Sequence, residues 1–200
     1  MTKTCISETK RAAIGRRRKL FVRTVASCAM VVMLWPVTGL FLYVVPAVDA
    51  PRHADVLFVL APQGDRTGYA EQLMDLGYAG TLAISVPQAK DGSAALCKEK
   101  RAYRIVCFDP DPVTTQGEAR ALQSLSKEYG WTSATVLTAQ FHVTRARVLL
   151  QRCYKGELGM VAYRQELPLL VLPYLGRPSW AYHYAYETAA FVKVALNQEC

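Results

Sequence analysis

The 200-residue chain is 52% hydrophobic and 20% charged, a globular composition that allows one ordinary domain plus an appendage. Its formal charge of +8 is unevenly placed: residues 1–23 carry eight Lys or Arg against the single Glu8, while residues 24–200 carry sixteen against fifteen acidic residues. With no basic excess in the folded part, a nucleic-acid partner is disfavoured, and the run Arg16, Arg17, Arg18, Lys19 is matched instead to anionic lipid headgroups.

From Thr24 to Val48 there are 25 residues without a charge. At about 1.5 Å per residue they cross a hydrocarbon layer of roughly 30 Å with some tilt. The basic flank predicts a cytoplasmic tail at 1–23, a single-pass transmembrane helix at 24–48 and an extracytoplasmic domain at 49–200, with the lipid bilayer as a partner. The competing reading is a cleaved signal peptide ending near Val48-Asp49-Ala50. The apolar run is longer than the roughly 7–15 residues of a signal core, and both readings predict export.

Asp49–His53 reads as a short polar exit from the membrane. Asp55–Ala61 is a near-continuous apolar run, the pattern of a strand buried on both faces. A turn at Gly64-Asp65-Arg66 leads to a helix over Thr67–Leu76 that stops at Gly77. Strands follow at Thr81–Val86 and Tyr103–Phe108, then a helix over Gln116–Tyr129 with an apolar stripe of Ala119, Leu122 and Leu125. A fourth strand at Ala134–Thr138, a helix at His142–Tyr154 and a shorter strand at Gly159–Tyr163 continue the alternation. Leu167–Leu172 reads as a strand or a packed loop, and Tyr182–Leu196 as the last helix. The alternation predicts an α/β fold, a Rossmann-like, mainly parallel sheet with helices on both faces.

Such sheets bind ligands beyond the carboxyl ends of their strands, and the polar residues fall in those loops. They are Gln63, Asp65 and Arg66 after the first strand and Ser85 and Gln88 after the second. Asp109, Asp111, Thr114, Thr115 and Glu118 follow the third, and Gln140, His142 and Arg145 the fourth. Thr115-Gln-Gly-Glu118 fits a capping box, and the same helix terminus suits an anion that Gly117 lets approach closely. Arg145 stands in the first turn of a helix, where the dipole disfavours a cation, so Asp109, Asp111 or a bound anion is expected to compensate it. His142 is a candidate acid–base group or a satisfied helix-start residue. Asp109 and Asp111 are candidate catalytic carboxylates or ordinary turn residues. No metal-ligand spacing is present, and the glycine-rich dinucleotide, phosphate-loop, nucleophile-elbow and zinc-protease motifs are absent. No cofactor is indicated.

Thr114-Thr-Gln-Gly-Glu-Ala119, followed by Thr138-Ala-Gln-Phe-His-Val-Thr-Arg-Ala146, resembles the YdcF-like, or DUF218, family of SanA- and ElyC-like envelope proteins. The resemblance spans about Asp55 to Leu196. It implies functional roles for Thr115, Thr138, His142 and Arg145, matches Arg66 to an arginine after the first turn, and matches Glu187 to an acidic residue of the last helix. The family's glycine-rich turn is replaced here by Val59-Leu60-Ala61-Pro62-Gln63-Gly64, and its Glu-Asn pair falls on Gly117-Glu118. The implied role is in cell-envelope integrity, through peptidoglycan or polysaccharide precursors.

Two functional readings follow. In one, the domain binds or processes a phosphorylated or acidic, lipid-linked envelope precursor. In the other it is a non-catalytic binding or scaffolding protein. Of the six cysteines, Cys5 falls in the tail and Cys28 in the apolar segment, leaving Cys97, Cys107, Cys153 and Cys200 outside. Three pairings are open to these four. Placing Cys153 and Cys200 at helix ends on the rim away from the loops favours Cys153–Cys200 with Cys97–Cys107, against the alternative of four reduced thiols.

Overall fold

A computed structural model describes residues 2–62, 64, 66–87, 93–170 and 179–200. The chain divides into two units, Met1–Leu40 and Phe41–Cys200. The first is the helix α1, Thr2–Gly39, with Pro36 inside it. It continues into a π-helical turn, Leu40–Val44. The stretch Gly15–Val44, 30 residues, is long and apolar enough to cross a membrane.

Helical geometry ends at Val44, four residues before the expected end of the apolar span at Val48. From Phe41 onward the chain is an arm of the α/β unit. Tyr43 is 3% exposed. Its ring meets Tyr184 edge-on at 5.2 Å, and its hydroxyl lies 3.3 Å from that of Thr188. Three side chains satisfy carbonyls freed where the helix unwinds. The Thr144 hydroxyl donates to Leu42 (2.6 Å), Arg147 donates to Ala47 (2.9 Å), and the Gln140 amide donates to Val44. Asp49 is more than a polar exit: its N–H donates to the Met160 carbonyl and its carboxylate accepts the Met160 N–H, both at 2.8 Å. An apolar arm that packs Tyr43 and Pro46 against the α/β unit has the hydropathy of a membrane helix, so the sequence does not separate the two.

The sheet comprises β1 (Ala54–Val59), β2 (Ala79–Ser85), β3 (Arg104–Phe108), β4 (Ser133–Ala139) and β5 (Glu157–Tyr163). Its order is β3-β2-β1-β4-β5 and every pairing is parallel. Phe58 of the central strand stands beside Ala83 on one side and Val136 on the other. The alternation of β1 splits the core between the two faces. Val56, Phe58 and Leu60 pack with Ala119, Leu122, Ala146 and Leu150. Leu57 and Val59 pack with Ala70, Leu73 and Met74. The first set comes from α4 (Thr115–Tyr129) and α5 (Val143–Cys153), the second from α2 (Arg66–Asp75). The fold is therefore α/β, with helices on both faces of a parallel sheet.

A single turn, α3 (Ser93–Leu96), precedes Cys97, and α6 (Trp180–Leu196) closes the chain. Leu167–Leu170 form no strand, and the remainder of that apolar run lies outside the described residues. Both favoured disulfides form, Cys97–Cys107 with Cα atoms 5.9 Å apart and Cys153–Cys200 with Cα atoms 4.9 Å apart. At the strands' amino ends the Asp55 carboxylate ties β1 to β4 by accepting the N–H groups of Thr132 (2.7 Å) and Ser133 (2.9 Å). These bonds hold its pKa below the ordinary carboxylate value.

Candidate functional site

The chain leaves β1 toward β2 on one side of the sheet. It reaches β4 on the other side only after crossing from β3. At such a switch the loops beyond two neighbouring strands diverge and leave a crevice. Here they leave a cleft of about 580 Å³, walled by the ends of β1 and β4, the start of α4, the first turns of α5, and α6.

The start of α4 sets the chemistry of one wall. Thr114, in extended conformation, is the N-cap, and its hydroxyl accepts the Gly117 N–H at 3.2 Å. The N-cap is thus one residue earlier than expected, and the capping box does not form because the third helical position holds Gly117. Thr115 is the first helical residue, and its hydroxyl instead lies 3.2 Å from Nε2 of His142. Glu118 does not reach back to the cap; it accepts the Ala61 N–H at 2.7 Å and is 3% exposed. Gly117 serves packing rather than ligand approach, because a Cβ there would strike the Pro112 carbonyl oxygen. Asp109 and Asp111, the expected catalytic carboxylates, are exposed and do not line the cleft, whereas Pro110 between them does.

The opposite wall is built by α5 and α6. His142 ends a short 3₁₀ turn, Gln140–His142, that leads into α5. Arg145 is compensated by Glu187 of α6, not by Asp109 or Asp111. Its Nε donates to Oε2 at 2.7 Å and a terminal nitrogen donates to Oε1 at 3.0 Å, a forked pair. Nδ1 of His142 lies 3.4 Å from the same Oε1. Arg66 is 5% exposed and donates to the Thr138 hydroxyl at 3.4 Å. Arg66 and Thr138 both line the cleft, while Ser85 is buried beneath it near Glu118. Gln63, Asp65 and Gln88 lie outside the described residues.

Burial works on these groups unequally. It pushes the Glu118 carboxyl up to about 7, against the Ala61 N–H, the Ser85 hydroxyl and the guanidinium groups of Arg66 and Arg145. It pushes Arg66 down to about 10, which leaves it cationic at neutral pH. Burial also lowers His142, reinforced by the Arg145 charge and opposed by Glu187. Glu187 goes the other way: burial would raise it, but the Arg145 fork and the His142 contact hold it down to about 2.

Protein-family models, curated proteins and solved structures give no match to this chain. What the cleft can do follows from its own groups. An ionised Glu187 only accepts, so with the His142 proton on Nδ1, the nitrogen facing that carboxylate, Nε2 is left with its lone pair. In that tautomer the Thr115 hydroxyl donates to Nε2. Among the described residues no three His, Cys, Asp or Glu are placed to share a metal ion.

Glu187 carried no local sequence signal beyond the family resemblance, since α6 reads as an apolar and aromatic packing helix. The same holds for the aromatic wall. His183 stacks on Phe141 at 3.6 Å between ring centres, Tyr182 and Tyr186 stack at 6.0 Å, and the Arg145 guanidinium lies 5.9 Å from the Tyr186 ring centre. All four aromatic side chains line the cleft.

Proposed function

We propose that this is a membrane-anchored envelope protein of the YdcF-like type. Its extracytoplasmic α/β domain binds and processes a phosphorylated or acidic precursor of peptidoglycan or polysaccharide. The observation that carries the reading is the charge of the cleft. Two guanidinium groups, those of Arg66 and Arg145, line it together. The positive end of α4 opens on the same space, so the cleft favours an anion. A lipid-linked precursor suits a domain tethered by an apolar helix.

The test is binding of undecaprenyl phosphate, against uncharged undecaprenol, to the full chain in detergent. The phosphate form is expected to bind at least about tenfold tighter. Arg66→Gln is expected to remove about 10- to 100-fold of that affinity, the worth of a hydrogen-bonded charge contact. Equal affinity for the two lipids would overturn the reading. A non-catalytic binding role is favoured by one observation: Arg145 is already held in its fork with Glu187. Phosphate-selective binding with no turnover of any probe would support that role.

A further inference from the structure

We propose that Thr115, His142 and Glu187 form a hydroxyl–imidazole–carboxylate relay, with Thr115 the nucleophile that transfers the acyl group of a carboxylic ester to water. The inference rests on the cleft's being the precursor site and adds the reaction performed there.

Three independent features place the relay. The helix cap is made by Thr114, so the Thr115 hydroxyl is left to the imidazole, 3.2 Å away. Glu187, 1% exposed and held by the Arg145 fork, faces the other ring nitrogen at 3.4 Å. All three side chains line one cleft. Separations of this size are ordinary for such relays before substrate binds and tightens them. The order of groups is that of a base-activated hydroxyl whose base is oriented by a buried carboxylate.

In the reaction Oγ1 of Thr115 attacks the ester carbonyl carbon, and its proton passes to Nε2 of His142. The carbonyl electron pair moves to oxygen, beside the positive end of α4 and the Arg66 guanidinium. Collapse expels the alcohol oxygen, which takes the proton from Nε2 and leaves an acyl-threonine. Water then attacks the acyl carbon and gives a proton to Nε2. That proton returns to Oγ1 as the carboxylic acid leaves. Acyl transfer fits better than phosphoryl transfer, because a neutral base matters most where attacking and leaving oxygens must exchange a proton. Phosphoryl transfer draws mainly on positioning and charge. The aromatic wall of Phe141, Tyr182 and Tyr186 offers apolar surface for the acyl group.

The experiment uses the full chain in detergent with disulfides intact and 4-nitrophenyl butyrate as probe. Wild type is expected to release nitrophenol, with kcat/KM rising from acid pH and level through neutrality as the imidazole loses its proton. Thr115→Val and His142→Asn are expected to lose at least about 100-fold, the scale of general-base catalysis, while Thr115→Ser keeps turnover. Acid-quenched peptide mass spectrometry should place a butyryl group on Thr115. No wild-type turnover, full activity in Thr115→Val, or an acyl group elsewhere would overturn the relay. So would turnover of bis(4-nitrophenyl) phosphate without turnover of the ester. Phosphate-selective lipid binding without esterase activity would sink the relay alone. Esterase activity without that selectivity would sink the anion reading alone.

Discussion

Two buried glutamates of the cleft respond to pH in opposite senses. Glu118 has a folded pKa raised from the ordinary 4.5 to about 7. Its neutral form stabilises the fold fully below 4.5, and that contribution is lost as pH rises from 4.5 through 7. Glu187, lowered from 4.5 to about 2, stabilises fully above 4.5 and loses its contribution as pH falls toward 2. Each displacement is of order 3 kcal/mol. Urea unfolding at a series of pH values should therefore show Glu118→Gln abolishing the decline between 4.5 and 7, with the acid limb intact. A Glu118→Gln curve parallel to wild type across that window would place the carboxyl in a more hydrated setting than the cleft floor. The signs differ because burial outweighs the groups that favour an ionised Glu118, whereas at Glu187 the guanidinium fork and the His142 contact outweigh burial. The sequence does not separate these cases, since the partners lie 57 and 42 residues away along the chain. It also cannot decide between adjacent threonines: Thr114 and Thr115 differ only in which one the backbone leaves extended.

At the scale of elements, the two disulfides close loops of different length, with sequence separations of 10 and 47. Chain entropy gives about 3 kcal/mol for the shorter and about 4 kcal/mol for the longer. Replacing Cys153 and Cys200 together by Ala should thus lower the urea midpoint more than replacing Cys97 and Cys107. The longer bridge also holds the C-terminus where the Arg152 guanidinium meets the carbonyls of Val194 and Asn197. An equal loss for the two pairs would mean that the C-terminal segment keeps its place without the bridge. The strands were legible because β1 is apolar on both faces, and α4 because Ala119, Leu122 and Leu125 repeat at helical spacing. The cleft's position was legible from the strand–helix alternation, which assigns the polar loops to one rim. Glu187 and the aromatic residues of α6 were not, because their contacts with α5 and the turn before it join segments far apart in the chain and leave no periodic trace. Nor was the arm from Phe41 to Asp49, whose hydropathy merges with the helix before it.

The charge asymmetry of the whole chain bears on topology. Residues 1–23 hold a net +7, and each Lys or Arg carried to a bilayer centre costs about 2.5–3.5 kcal/mol, so the tail resists translocation. Residues 24–200 have a net +1, and a segment of this length is translocated largely regardless of its charge. The 30-residue stretch Gly15–Val44 has the length to span. Both disulfides lie C-terminal to it, and such bonds persist in oxidising compartments. The orientation we propose puts the tail in the cytoplasm and the α/β domain outside. A phosphatase reporter that matures only after export, fused after Cys200, should be active, and a fluorescent reporter that matures only in the cytoplasm should stay dark. The reverse pattern would invert the topology and remove the oxidising setting that the disulfides need. Carbonate washing of membranes addresses the anchor separately. Retention of the full-length chain is expected from an uncleaved span, whereas release of a shortened chain would show that the apolar segment is removed after export.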